Sequence, residues 1–376
     1  MVGSGIAGCL LVAACGAPPT AAPAGSEAAG SEGDSAAGAS ALEEVYAAVE
    51  GLTGQERFDT LMELAAEEEG DLSLYTSTNL DESGPITDAF TDLTEFDVDL
   101  YRASSSSVLQ RILQENDADF PGADVVATNG PEMTILDTEG LLLPLESPVT
   151  EDIVEFGVFD NWAAVYLNVF VSAWNTEAIS GDEVPTSWEE VLTGYDNRLA
   201  MELGDWDWFA TLVGHMVEEE GMSEEEAVEL FREAAREGVV VDGHTVMAEL
   251  LAAGEFDITS SSYQHRIPQL AKDGAPVAWE PPVEPAIVRP NGIGIHADTD
   301  VPAKALLLVE YELSPEAQSQ LVEFDRSPAN DTVEGGFPDD VEVLLVDVEA
   351  LLDEREKWET LYEEVIQESG SGVIEG

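Results

Sequence analysis

Apolar residues recur along this chain at two alternating spacings. Leu42, Val45, Tyr46 and Val49 fall at i, i+3, i+4 and i+7, the spacing of one helix face. Gly51 to Gly54 interrupts the pattern, and Phe58, Leu61, Met62 and Leu64 resume it, so residues 41–68 read as helical. Leu72, Leu74 and Tyr75 predict a short strand. Ser83-Gly84-Pro85 predicts a helix start with proline in the first turn, followed by Ile86, Ala89, Phe90 and Leu93 on one face. Val98 and Leu100 alternate with Asp97 and Asp99, as in a strand. Ser104–Ser107 lead into a helix that buries Val108, Leu109, Ile112 and Leu113, and Asp124–Ala127 is the next strand.

A second block runs from about residue 161 to 279. It opens with an apolar strand (Val165–Ala173) and continues with helices near Trp188–Leu192, Trp208–Glu219 and Ser223–Arg236. Ser223 with Glu226 three residues on is a capping box. A helix over His244–Ala253 precedes a strand over Phe256–Thr259. The chain returns through a strand at Gly292–Ile295 and helices at Pro302–Leu313 and Pro315–Phe324, the latter with Ser314 as N-cap. The last stretch, about 340–368, is acidic and helical, with an apolar stripe of Val348, Leu351, Leu352, Trp358 and Leu361. This alternation predicts an α/β chain with largely parallel sheets.

Charge narrows the classes of partner. The 376 residues carry 79 Asp+Glu against 13 Lys+Arg, a formal net charge of −66. Nucleic acid is excluded as partner, since phosphate binding needs Lys and Arg. Docking on anionic lipid through a basic patch is excluded on the same ground. Beyond the N-terminus no apolar run is long enough for a membrane span. The acids are spread along the chain and 44% of residues are hydrophobic, so this is not a disordered polymer; the excess suits either a hydrated surface in high salt or an acidic lineage in ordinary salt.

The first fifteen residues differ from the rest: MVGSGIAGCLLVAAC has no acid and holds both cysteines, Cys9 and Cys15. Val12-Ala13-Ala14-Cys15 fits a lipoprotein signal, with Cys15 as the residue to acylate, although the usual positive start is missing. The rest of the chain therefore has neither a disulfide nor a thiolate metal site. Residues 16–40, rich in Ala, Gly, Ser and Pro, read as a flexible tether. The expected location is the extracellular face of the membrane or the periplasm, held by lipid.

Several stretches, taken in order, resemble a known family. They are LSLYTST (72–78), LYRASSS (100–106), GADVV (122–126), EGLL (139–142), VSAWNT (171–176), WEEVL (188–192), AELLAAGEF (248–256) and LSPEAQ (313–318). Together they resemble extracellular solute-binding proteins of ABC importers, and among these the ferric-iron-binding group, over about residues 60–330. The resemblance implies a two-lobed periplasmic-binding-protein-like fold with a central cleft and hinge. Lobe one would take 71–155 plus 285–330, and lobe two 160–282. Residues 41–70 would be N-terminal helices and 331–376 an acidic helical extension. It also implies a monomeric receptor without catalysis, delivering its solute to a permease and its ATPase. It implies no cofactor, and ferric iron or an iron complex as cargo.

Strand ends and helix starts face the cleft in such folds. Thr76, Ser77 and Thr78 follow the first strand. Ser104, Ser105 and Ser106 open a helix whose free N–H groups suit an anion; the plainer account is that one serine caps it. Tyr263 and Arg266 follow the strand ending near Thr259. Tyr263 matches one of the two tyrosines that the ferric-binding group places here, and Ser262 stands at the other. The group's early histidine is replaced by Thr78 or Asn79, and its acidic ligand by Asn129. Tyr263 is thus the expected metal ligand. Arg266, or Arg102, could instead pair with a phosphorylated or carboxylated solute. Trp206 could stack on a ligand, or, like Trp208, fill a core. A hydrolase is the remaining alternative; no zinc-protease motif, P-loop or nucleophile elbow supports it.

Overall fold

The computed structural model describes residues 31–369, except 119, 121, 196 and 339, together with 373–374. Cys9, Cys15 and most of the expected tether lie outside the described residues. Two helices, α1 (Ser31–Val49) and α2 (Gly54–Ala65), lead into a first α/β stretch. It comprises β1 (Leu72–Thr76), α3 (Leu80–Thr94), β2 (Val98–Arg102), α4 (Ser105–Asp117), β3 (Val125–Asn129) and α5 (Gly130–Thr138). The long strand β4 (Trp162–Asn175) carries the chain into a second stretch. This holds α6 (Trp188–Thr193), β5 (Leu199–Glu202), α7 (Trp206–Glu218), α8 (Glu224–Glu237), β6 (Val239–Val241), α9 (His244–Ala253), β7 (Ile258–Tyr263), α10 (Arg266–Lys272) and β8 (Val277–Ala278). Strand β9 (Ala286–Ile295) returns to α11 (Pro302–Leu313), α12 (Pro315–Glu323) and β10 (Ser327–Pro328). The chain ends in β11 (Val343–Leu345), α13 (Val348–Asp353) and α14 (Arg355–Gln367).

The main strand order is β2-β1-β3-β9-β4-β7-β5-β6. Two parallel blocks, β2-β1-β3 and β7-β5-β6, flank an antiparallel pair, β4 and β9, that runs through both. The register fixes where the blocks meet. Along β3 the partners on β9 run from Ile295 to Asn291. Along β7 the partners on β4 run from Trp174 to Phe170. The C-terminal ends of both blocks therefore converge on the middle of the crossing pair, where Asn168 faces Arg289. One apolar core lies between the first block and α1, α2 and α11, and a second runs through both blocks, from Val108 and Val126 to Trp188 and Phe231. In the second, Trp208 stands edge-on to Trp188 and Phe231, each at 5.7 Å, and all three are buried.

The structure departs from the sequence reading in five places. Helix α1 begins at Ser31, inside the expected tether: the alanines there favour helix, and Gly38 lets the backbone approach the carbonyl of Ala297. Helix α3 starts at Leu80 rather than at Ser83, with Asp81 and Glu82 in its first turn, where the helix dipole favours acids. Pro85 then sits inside it. Strand β7 runs on to Tyr263 through buried Ser260, Ser261 and Ser262, because hydrogen bonds such as Thr259 to Ser262 (2.8 Å) satisfy its hydroxyls. Strand β9 includes Arg289-Pro290-Asn291. Pro290 falls in the gap between the stretch paired with β11 (286–288) and that paired with β3 (291–295), where one side of the strand has no ladder to supply. Finally, the C-terminal extension is not wholly helical. Its β11 pairs with β9 along the edge that β3 covers in the first block, α13 packs on α5 and α7, and α14 packs on α7 and α8.

Candidate functional site

The convergence of strand ends places a polar network at the middle of the crossing pair. On the first block's side, Asn129 ends β3. Its Oδ1 accepts from Asn168 Nδ2 (3.0 Å) and Asn291 Nδ2 (3.1 Å), and its Nδ2 donates to Ser105 Oγ at 2.6 Å. Ser77, just after β1, accepts a long bond from Asn291 (3.5 Å). Thr76 and Thr78 are buried; Thr76 Oγ1 accepts from the Thr78 N–H, and the Thr78 hydroxyl pairs with that of Tyr166 at 3.1 Å. Ser104 caps α4 and bonds to Ser106 and Ser107, with all three exposed.

On the floor, Arg289 from β9 holds both oxygens of Asp207, at 2.8 and 3.0 Å, and donates to the Tyr263 hydroxyl at 2.8 Å. Arg326 donates twice to Glu82 (2.7 and 2.9 Å) and once to Asn168 (3.0 Å). Both ion pairs are buried. Yet two floor atoms, Arg289 Nε and Asn291 Oδ1, are buried with no hydrogen-bond partner among the described residues.

On the second block's side, Tyr263 ends β7 and stacks on His244 at 4.0 Å. His244 Nε2 lies 3.1 Å from both carboxylate oxygens of Asp205. Glu202, at the end of β5, accepts from the N–H groups of Gly204 (2.6 Å) and Gly243 (2.9 Å). Gly243 reaches that position with φ +97°, a conformation L side chains rarely adopt. The donor atoms of Glu202, Asp205 and His244 all lie within 4.8 Å of one another.

Charge within the cleft is unevenly settled. Arg289 and Arg326 each face a carboxylate of their own. Asp205 pairs with His244, Glu202 lies beside them, and among the described residues neither carboxylate forms an ion pair with Lys or Arg. Burial, then Asp205, pushes the Glu202 carboxyl up to about 7. For His244, burial opposes the charge, but Asp205 and Glu202 outweigh it and raise the pKa. Burial also raises the Tyr263 phenol above its ordinary range, while the Arg289 guanidinium acts the other way. His265 is held neutral by burial and by Arg326 and Arg266.

Of the residues singled out from sequence, Ser77, Ser105 and Asn129 enter the first block's network, and Tyr263 enters the Arg289–Asp207 cluster beside it. Ser104 and Ser106 stand at the network's edge. Thr76 and Thr78 are consumed by internal bonds. Arg266 is drawn off to Gln269 (2.6 Å) and Glu249 (3.6 Å), and Arg102 to Asn79 (2.8 Å). Trp206 is half-buried and packed against the core, where Trp208 is wholly enclosed. Sequence reasoning missed Asn168, Arg289, Asn291, Glu202, Asp205, Asp207 and His244. One signal was readable: in a chain with 13 Lys+Arg, an arginine inside the apolar run Ala-Ile-Val-Arg-Pro-Asn-Gly-Ile-Gly-Ile (286–295) has to be neutralised by a buried acid.

Solved structures share this architecture. The periplasmic binding protein AfuA of Actinobacillus pleuropneumoniae, solved with fructose-6-phosphate, superposes with a TM-score of 0.69 at 20% identity, over 80% of this chain and 99% of that one. Iron-bound HitA of Pseudomonas aeruginosa gives 0.65 at 17% identity, over 78% and 99%. The ferric binding protein of Campylobacter jejuni gives 0.67 at 18%, over 78% and 99%. At these identities the likeness establishes the two-lobed fold alone. No curated protein matches the sequence significantly. Among the described residues no helix is long and apolar enough to cross a membrane. The pattern of the bacterial extracellular solute-binding proteins matches residues 133–354, more than half of the chain. With that match and a cleft between two lobes, the chain belongs to the bacterial extracellular solute-binding protein family, whose members bind rather than transform their solutes.

Proposed function

We propose that this protein is the receptor of an ABC-type importer and captures a cationic solute, ferric iron or an iron complex foremost. A permease and its ATPase would be the partners, and acylated Cys15 the anchor that holds a monomeric receptor at the membrane surface. The observation that carries the cationic reading is the charge distribution of the cleft. Arg289 and Arg326 are already bound to Asp207 and Glu82, while Asp205 is paired only with the His244 imidazole and Glu202 lies beside it. An anion would find most of the guanidinium donors already taken, whereas a cation meets two carboxylates that no Lys or Arg pairs among the described residues. The iron-bound state of one structural relative agrees with this reading.

A visible absorbance titration of the purified protein with ferric citrate tests it, at high and low salt. A phenolate-to-iron band that saturates near one equivalent is expected. Absence of the band, together with no thermal stabilisation by any cation, would overturn it. A second reading, a phosphorylated or carboxylated solute, draws on the serine-lined start of α4, the unpartnered Arg289 Nε and the sugar phosphate bound to another relative. Stabilisation by sugar phosphates or carboxylates in the same thermal assay would favour it.

A further inference from the structure

We propose that Glu202, Asp205 and His244 form a cation site wholly within the second lobe, taking a divalent first-row transition ion. This rests on the reading of the cleft as the place where a cation is received, and adds which lobe takes it and with which atoms. Three observations carry it. The three donor groups lie within 4.8 Å of one another, whereas ligands bound to one ion at about 2.1 Å stand roughly 3–4 Å apart, so a contraction of about 1–2 Å assembles the set.

Each ligand is also held in place beforehand. Glu202 is fixed by two backbone N–H groups, His244 by its stack on Tyr263 and its contact with Phe170 (5.5 Å), and Asp205 by the chain that enters α7. Finally, the charge is incomplete. Glu202 and Asp205 are 6% and 1% exposed. Among the described residues neither forms an ion pair with Lys or Arg, and the neighbouring guanidinium of Arg289 is bound to Asp207. A divalent ion would supply the positive partner that these buried carboxylates lack. Two carboxylates and an imidazole suit Mn(II), Fe(II) or Zn(II) rather than the softer copper(I).

The site differs from one centred on Tyr263, whose hydroxyl is engaged by Arg289. The test uses the purified chain, stripped with chelator, in about 1 M KCl so that surface carboxylates are screened. Isothermal titration with MnCl2 and with ZnCl2 should show one saturable site with proton release. Asp205→Asn and His244→Gln should each weaken it at least tenfold, and Glu202→Gln similarly, in variants whose circular dichroism matches the parent. Undiminished binding in Asp205→Asn and His244→Gln would overturn this site. If those variants still gave the iron–phenolate band, the cation receptor itself would stand. No binding of either ion to the parent would overturn the site as well, and a positive ferric titration would again separate that outcome from failure of the receptor reading.

Discussion

Arg289→Met isolates the role of the cleft arginine. In the parent, its guanidinium and the Asp207 carboxylate approach to 2.8 Å with both side chains buried. At an effective dielectric near 20, unit charges at that distance attract by about 6 kcal/mol. Part of this offsets the dehydration of the two ions, so removing one partner from a buried pair costs about 3–5 kcal/mol. The methionine keeps the apolar contact with the Phe170 ring, over which Arg289 lies at 4.7 Å, so the loss reports on charge more than on volume. Urea unfolding followed by tryptophan fluorescence at pH 7 in high salt gives the difference in stability. Adding Asp207→Leu should restore the protein to within about 2 kcal/mol of the parent, because no buried charge then remains unpaired. A loss below about 1 kcal/mol in the single variant would refute the reasoning. It would mean that Asp207 finds water or another cation, and that Arg289 is free to meet an anionic ligand.

Glu312 on α11 is 8% exposed, and burial alone pushes its carboxyl up to about 7. Its contribution to stability is therefore intact below the ordinary carboxylate pKa, near 4.5, and lost as pH rises through 7. Glu312→Gln should equal the parent near pH 4.5 and exceed it at pH 8 by up to about 3 kcal/mol, read from urea midpoints at the two pH values. Equal midpoints at pH 8 would show the carboxylate to be well solvated. Tyr263→Phe should abolish any iron–phenolate colour and cost about 1–2 kcal/mol, since Arg289 Nη2 loses its acceptor; unchanged colour removes Tyr263 as a ligand. Gly292→Ala would put a methyl 2.1 Å from the Trp162 ring, and a fall of more than about 1–3 kcal/mol in the same unfolding assay is expected.

The two-lobed α/β fold was legible because its strongest signals are local. Capping by Ser104, Ser223 and Ser314, helix faces such as Leu42–Val49, and the apolar run of β4 each depend on neighbours a few residues away. The strands at the cleft were harder to read for a physical reason. The second half of β7 and the middle of β9 carry Ser, Arg, Pro and Asn, which read as loop when only hydropathy and propensity are visible. They hold as strands because distant groups satisfy them. Arg326 and Glu82 are 244 residues apart, Arg289 and Asp207 82 apart, and Asn291 and Asn129 162 apart. The same separation explains the site. Tyr263 and Asn129 stood out from the resemblance, whereas Glu202, Asp205 and His244 become a cluster only when β5 and β6 end side by side.

The network also constrains how the lobes can move. Asn129 of the first lobe bonds to Asn168 and Asn291, and Asp207 and Tyr263 of the second bond to Arg289, so the two lobes hold different but neighbouring residues of the crossing pair. Strand β4 is irregular on either side of that point. Its register against β9 shifts between Ala164 and Tyr166, and against β7 between Val171 and Ala173. Such irregularities interrupt the ladder and let a strand bend and twist locally. Bending near these shifts would let the two lobes part while the Asn129 and Arg289 bonds stay intact. The C-terminal extension resists this, because β11 zips along β9 at 286–288 and α13 touches both α5 and α7. A truncation at residue 340 should thus leave the chain more open and more protease-sensitive near residues 164–173, and limited proteolysis of the two forms compares them directly. Identical cleavage patterns would show that the extension stabilises the second lobe without restraining the opening.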